Sequence, residues 1–169
     1  MSGFLVSMQG AVSQGVIWGI MALGVYITFR IMDIADLTVD GSFALGGCTC
    51  AVLMAQYGVN PILALLISTF AGFAAGAVTG FLHTVFEIPA ILAGILTQYS
   101  LWSINLRIMG QQSNIPLLNV DSIFTWLTDA TGLRQSTVVL VIGAVVVALL
   151  IWALYWFFGT EMGAALRAT

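Results

Sequence analysis

Five long apolar runs, separated by short polar stretches, constrain this chain more than any other feature of its sequence. Four of them reach the length of about 20 residues that an α-helix needs to cross roughly 30 Å of hydrocarbon. In chain order the runs are 8–29, 42–57, 61–83, 89–109 and 137–158, and the second is conspicuously short. Only 7% of the residues are charged, against roughly 25% in a soluble domain. We therefore predict an all-α membrane protein, a polytopic bundle of about five transmembrane helices with one short or broken helix.

Charge and run length argue against several other classes. The net charge of -3 is too small to indicate a strongly acidic or basic partner surface, and the runs are helical in length, so we expect no nucleic-acid partner and no barrel. No Lys or Arg precedes the first run, which we interpret as a retained span and not a secretory signal. We expect residues 1–169 to form a single transmembrane domain in the lipid bilayer. The sequence shows no catalytic or metal-binding motif, so we predict neither an enzyme nor a metal site.

Small residues at four-residue spacing predict where the helices pack. Lipid tails are as apolar as leucine, so helices in a membrane associate through close backbone approach at small side chains. Gly15 and Gly19 have this spacing, and so do Gly72, Gly76 and Gly80. We predict packing seams at these glycines, with glycines that line a pathway as the alternative.

Trp and Tyr side chains cluster near the ends of the apolar runs. Tyr57 ends the short run, Trp126 lies in the longest polar interval, and Trp152, Tyr155 and Trp156 approach the end of the last run. These ring types favour the boundary between membrane and water. We interpret them as interfacial anchors.

The longest polar interval, 110–136, contains the pattern of one short amphipathic helix. Ile123, Phe124 and Leu127 share a face at helical spacing. We predict a surface helix that covers the bundle. The candidate N-cap residues are Asp121 and Ser122.

A charged segment, RIMDIADLTVDGS at 30–42, separates the first two runs. Asp33, Asp36 and Asp40 are spaced three and four apart, so a helix places them on one face, whereas a loop leaves them in water. The run that follows has about 16 residues, which is marginal for a crossing unless part of the charged segment also enters the protein. Irregular backbone at membrane depth is tolerated where it lines a cavity or is buried in protein. We predict a broken helix with Asp40 as the N-cap of its second half, and a solvated loop as the alternative.

Polar residues inside the fourth run are further candidates for a functional role. Gln98 and Asn105 are seven apart and share a helix face. Polar side chains within a membrane usually point into the bundle or a wet cavity, so hydrogen bonding between helices and a translocation path explain them equally well. The candidate path or gate residues are Asp36, Asp40, Ser42, Gln98 and Asn105.

Three segments together resemble the permease subunits of ATP-binding-cassette importers. They are GIMALGVYITFRIMDIADLTVDGSFALGG at 19–47, IPAILAGILTQYSLWSINLRIMG at 88–110 and GTEMGAALRAT at 159–169. The resemblance is to the branched-chain amino acid type and, within it, to tryptophan/tyrosine importers. It implies a permease in the bacterial inner membrane that forms the path for a small solute, an amino acid.

The resemblance also implies partners and a coupling segment. Two permease subunits, as a homodimer, would work with two cytoplasmic ATPases and an extracytoplasmic substrate-binding protein; ATP and Mg would bind the ATPases, with no cofactor in this chain. Gly163, Arg167, Ala168 and Thr169 match the beginning of the family's coupling helix, at 160–169. The chain is therefore expected to be incomplete at its C-terminus. The implied coupling residues are Glu161, Gly163 and Arg167.

Two other functions stay open at this point. An ion-coupled secondary carrier or channel would use Asp33, Asp36 and Asp40 as an ion or proton path. An assembly protein without transport activity would use only the glycine seams. Arginines are equally divided between the two sides if all five runs cross, so the orientation follows from the resemblance and not from charge.

Overall fold

The computed structural model is helical almost throughout the residues that it describes, which are 2–31, 33–34, 36–117, 120, 122–132 and 134–167. This part of the chain contains seven α-helices and no strand, which confirms the predicted all-α class. A π-helical turn, Ile27–Ile31, continues the first helix. The α-helices are α1 (Ser2–Tyr26), α2 (Thr38–Ala55), α3 (Pro61–Val85), α4 (Ala90–Ile108), α5 (Ile123–Thr131), α6 (Gln135–Phe158) and α7 (Glu161–Arg167).

Four helical segments of the described chain are long and apolar enough to cross a membrane. They are Ser7–Ile31, Thr38–Ala55, Pro61–Val85 and Gln135–Phe158. The run at 42–57, expected to be short, is long enough to cross because its helix starts earlier. The helix α2 begins at Thr38, within the charged segment at 30–42. The 19-residue α4 has the length to cross, but its polar side chains lower its mean hydropathy and it falls outside the group.

The chain divides into two compact units. The three-helix unit, Ile34–Ile123, contains α2, α3 and α4. The two-span unit consists of the residues up to Asp33 and those from Phe124 onward, and contains α1, α5 except for its first residue, α6 and α7.

Small and hydroxyl-bearing residues form the buried stripes of the three-helix unit. The helix α2 packs on both α3 and α4. The core cluster is Leu45, Ala75 and Leu101, one residue from each helix. Close packing at small side chains is the usual way in which membrane helices associate. Buried small and polar residues of α3 and α4 are Ala64, Ser68, Ala75, Thr79, Ala93, Gly94, Thr97 and Asn105.

The predicted glycine seam on α3 is wrong in its position. A methyl group added to Gly76 or Gly80 would have no neighbour within 4 Å in the described part of the chain, and both residues are exposed. Gly72 is half-buried. The buried stripe instead passes through Ala75 and Thr79, because α3 carries small residues on several faces and spacing alone does not select one of them.

In the two-span unit, α1 and α6 are joined near their first turns. Gln9 Nε2 donates a hydrogen bond to Thr137 Oγ1 at 2.7 Å, and Ser13 Oγ donates to the Ser136 carbonyl oxygen at 3.0 Å. Polar side chains therefore make the contact. Within the described chain the predicted seam at the two α1 glycines is not formed, because no atom lies within 4 Å of a methyl group at either. These residues are Gly15 and Gly19.

The short helix predicted in the polar interval is present as α5. Ile123 and Phe124 are half-buried, whereas Leu127 is exposed. Its candidate N-cap Asp121 lies outside the described residues. Coverage of the bundle by this helix stays a prediction.

Candidate functional site

The non-helical backbone that leads into α2, here called the helix break, is the centre of the candidate site. The π-helical turn ends at Ile31 and α2 starts at Thr38, with non-helical backbone at the described residues between them. Asp33 is exposed and has a φ of 51°, in the left-handed region that ends helical geometry. Asp36 precedes α2, and Asp40 lies in its first turn. The three acids consequently do not share one helix face.

Asp36, and not Asp40, supplies the carboxylate that caps α2. Its Oδ1 accepts a hydrogen bond from the Thr38 backbone N–H at 2.8 Å, whereas the N-cap residue itself is Leu37, which makes no side-chain cap. The prediction of Asp40 as the N-cap is therefore wrong. Asp36 stands just outside the helix, where its carboxylate reaches a free N–H. Asp40 is already inside the first turn, where its negative charge favours the positive end of the helix dipole.

Two glycines let the start of α2 lie directly against α4. A Cβ at Gly94 would be 2.9 Å from the Leu37 backbone nitrogen and 3.3 Å from Asp36 Oδ1. A Cβ at Gly41 would be 3.1 Å from Leu101 Cδ1. Sequence reasoning did not single out either glycine, since neither belongs to a four-residue glycine repeat. The irregular backbone at the break is thus held by α4.

The structure brings Asp40 and Gln98 together across the contact between α2 and α4. Gln98 Nε2 donates to Asp40 Oδ2 at 3.5 Å, a long hydrogen bond. The Asp40 side chain is exposed and Gln98 is half-buried. A long hydrogen bond contributes little, so the Asp40 carboxylate is only weakly held by Gln98.

A buried hydroxyl pair that sequence reasoning missed fixes the start of α2 to α3. Thr38 Oγ1 and Thr79 Oγ1 are 2.9 Å apart, and Thr38 is 2% exposed. Both hydroxyls are satisfied in an apolar setting, where an unpaired one would be costly. The first turn of α2 is therefore held from two sides, by α3 and by α4.

Two further candidates, one on α2 and one on α4, have different hydrogen-bond surroundings. Ser42 Oγ donates to the Val39 carbonyl oxygen of its own helix at 3.1 Å. Asn105 is 9% exposed, and its Oδ1 is buried without a hydrogen-bond partner among the described residues. It lies about two turns beyond Gln98 on the packed side of α4.

The expected coupling segment forms the short helix α7 directly after α6. Thr160 caps it, because its Oγ1 accepts from the Gly163 backbone N–H at 3.4 Å. A Cβ at Gly163 would be 2.5 Å from the Phe157 carbonyl oxygen, so only glycine fits where α7 meets the end of α6. Glu161 is exposed in the first turn. The side chain of Arg167, and all of Ala168 and Thr169, lie outside the described part of the chain.

Comparison with known proteins gives one family match and several relatives. The family described as branched-chain amino acid transport system, permease component, matches residues 7–169. A tyrosine transport system permease protein of Clostridioides difficile (strain R20291) is 46% identical over 120 residues, which are 69% of this chain and 40% of that protein. An uncharacterized protein of Rickettsia prowazekii (strain Madrid E) is 33% identical over 138 residues, 78% of this chain and 48% of the relative.

A more distant relative is the inner membrane ABC transporter permease protein YjfF of Escherichia coli (strain K12). It is 26% identical over 134 residues, which cover 78% of this chain and 40% of the relative. The chain spans less than half of the length of each of these relatives. No solved structure gives a significant match.

Proposed function

Because the chain belongs to the family of branched-chain amino acid transport permeases, we propose that it forms the translocation path of an ATP-driven importer for an amino acid. It is a multi-pass membrane protein and a transport permease, not an enzyme. The tyrosine permease among its relatives makes tyrosine the first substrate to test. We place the protein in the bacterial inner membrane, with both compact units in one transmembrane domain.

The helix break before α2 is the observation that carries the proposal. Broken helices at membrane depth are typical of transport sites, because irregular backbone needs protein or a wet cavity around it. An exposed carboxylate facing hydrocarbon would be strongly unfavourable. We therefore assign Asp40 and Gln98 to the wall or gate of a hydrated path and Asp36 to the support of that wall. Ser42 and Asn105 stay in the proposal as path residues further along α2 and α4.

The partners that this function requires follow from the same proposal. An ATPase that binds ATP and Mg would contact α7 through Glu161 and Arg167, with Gly163 as the coupling residue that joins α7 to α6, and would drive the bundle between outward-open and inward-open states. A substrate-binding protein outside the cell would deliver the amino acid, and a second copy of the permease would complete the path. The close approach of α7 to the end of α6 at Gly163 supports transmission of such a movement.

Uptake of labelled tyrosine into proteoliposomes tests the proposal. The vesicles hold the full-length permease with its ATPase and binding protein. We expect uptake that requires ATP, and a decrease of about tenfold in Asp40→Asn, or about 1.4 kcal/mol in the barrier. The matched control is Asp129→Asn, which removes an exposed carboxylate from α5 and should leave uptake unchanged.

Two results would contradict different parts of the proposal. Uptake that follows an ion gradient without ATP would establish a secondary carrier and overturn the importer. Normal ATP-driven uptake by Asp40→Asn would remove Asp40 from the path and leave the importer intact.

A further inference from the structure

An apolar groove lies between the last turns of α1 and α6, within the two-span unit. Its volume is about 470 Å³, in the range of roughly 300–1,000 Å³ that is common for ligand pockets. Each lining residue is aliphatic, aromatic or glycine, so the groove suits an apolar occupant. Among them are Tyr26, Ile27, Ile31, Leu154, Tyr155 and Phe158.

The close contacts described between α1 and α6 lie on the side of the groove toward the first turns of the two helices. Ser13 is bonded to the Ser136 carbonyl oxygen, and a Cβ at Gly143 would be 3.0 Å from Val16 Cγ1. Toward the groove, large side chains and the wider π-helical turn replace these small residues. The gap therefore follows from the side chains of the two helices themselves.

Aromatic side chains place the mouth of the groove at the level of the lipid headgroups. Trp152, Tyr155 and Trp156 are strongly exposed near the end of α6, and Tyr155, at 84% exposure, also lines the groove. Exposed Trp and Tyr at the end of a span favour the membrane interface. An occupant would thus have its apolar part in hydrocarbon and its polar end at the interface.

A cation belongs to the same helical turn as two residues that line the groove. Arg30 belongs to the π-helical turn, between the lining residues Ile27 and Ile31 and four residues after Tyr26. It is exposed and has no ion-pair partner in the described ranges of the chain. A guanidinium group binds phosphate through paired N–H donors.

We propose that this groove binds an anionic phospholipid, with one acyl chain between α1 and α6 and its phosphate at Arg30. The apolar wall of the groove suits the acyl chain of the lipid. The exposed aromatic rings place its headgroup at the membrane interface, and Arg30 attracts the negative charge of that headgroup. A zwitterionic lipid carries a positive choline that offsets its phosphate, so it should bind less tightly than phosphatidylglycerol.

Native mass spectrometry of the full-length permease, titrated with phosphatidylglycerol or phosphatidylcholine, tests the headgroup. We expect preferential retention of phosphatidylglycerol, and a decrease of about fivefold in its affinity in Arg30→Gln, as for one basic residue near an anionic membrane. The control Arg107→Gln removes another exposed arginine, at the end of α4, and should have no such effect. Equal retention of both lipids, or an unchanged affinity in Arg30→Gln, would overturn the proposal.

A phosphatidylglycerol with a photoreactive acyl chain tests the groove. Labelling should concentrate on Leu154 and Ile151, which line the groove, and should be sparse on the exposed Ala153. Leu154→Trp, which fills the space, should abolish the labelling of Ile151. Uniform labelling around α6 would indicate ordinary surrounding lipid, and a protein cross-link at these positions would indicate a peptide occupant; either contradicts the proposal. These measurements need neither ATPase nor substrate, so their outcome is separate from that of the proposed transport.

Discussion

The two units differ in how much helix surface they bury. In the three-helix unit each of α2, α3 and α4 buries a full stripe, and Ala64 and Ala93 have 0% exposure. In the described parts of α1 and α6 only Ser13 and Val138 are buried. Both units have strongly apolar spans, so hydrophobicity does not explain the difference. Since lipid competes equally well for apolar surface, small side chains that let backbones approach decide which helices pack.

The same difference separates their proposed roles. The candidate path residues Asp40 and Gln98 lie where α2 is held closely by α3 and α4. The two-span unit, with few buried contacts, leaves a groove between its helices and carries α7 at its end. Close packing suits a site that needs fixed geometry, whereas an open face suits exchangeable neighbours such as lipids.

The largest effect that we expect comes from adding one methyl group at the tightest contact of the three-helix unit. In Gly94→Ala the new Cβ meets backbone at Leu37 that cannot rotate away, so we expect a loss of about 1–3 kcal/mol in the free energy of unfolding. This exceeds the gain of up to about 1 kcal/mol from replacing glycine by alanine in a helix. Unfolding in mixed micelles with a denaturing detergent measures the change.

Two matched variants serve as references for the loss of stability in Gly94→Ala. Gly76→Ala adds the same group in open space and should leave stability unchanged or raise it slightly. Gly143→Ala meets only the Val16 side chain, which can shift, and should lie between the two. If Gly94→Ala were as stable as Gly76→Ala, close backbone approach would not be what holds the three-helix unit.

A smaller effect is expected from removing the cap of α2. Asp36→Ala leaves the Thr38 N–H without its acceptor, for a loss of about 1 kcal/mol. Asp36→Asn keeps an oxygen at the same position and should cost much less. If both variants lost the same stability, the charge of Asp36 and not its hydrogen bond would hold the break. The same unfolding assay separates the two cases.

The helices of this protein are predictable from sequence because each follows an apolar run. All five runs correspond to helices, and the short α5 appears where Ile123, Phe124 and Leu127 share a face. What sequence could not select is the packed stripe of α3, where Ala75 and Thr79 are buried and the neighbouring glycines are not. Several stripes of that helix carry small residues, and the choice depends on the partner helix.

For the candidate site, sequence predicted the interruption of the helix before α2 and named Asp36, which caps α2, and Asp40 and Gln98, which are hydrogen-bonded to each other. It assigned the cap to the wrong acid because α2 starts three residues earlier than predicted, after Leu37 and not after Asp40, which changes the carboxylate that reaches a free N–H. It missed the Thr38–Thr79 pair, since hydroxyls in two different helices show no spacing signal. Contacts between helices are the part of the site that a single sequence does not encode locally.

Each unit contains a side-chain hydrogen bond between two helices that involves a threonine hydroxyl. The Thr38–Thr79 pair of the three-helix unit is buried on both sides. The Gln9–Thr137 pair of the two-span unit is half-buried on both sides. A hydrogen bond that water cannot replace should contribute more to the free energy of unfolding. The difference between the two pairs therefore measures how differently the two units exclude water.

The smallest effects are the coupling energies of these two pairs, each measured with a double-mutant cycle in the same unfolding assay. Hydrogen bonds between membrane helices contribute about 0.6 kcal/mol on average and at most about 1.7 kcal/mol. We expect the cycle of Thr38→Val and Thr79→Val to lie in the upper part of this range, and that of Gln9→Leu and Thr137→Val near or below the average. Gln14→Leu, an exposed site on α1, is the control for the glutamine change. A larger coupling in the half-buried pair would mean that α1 and α6 are held together as firmly as the three-helix unit, and the contrast between the units would then lie in their buried area alone.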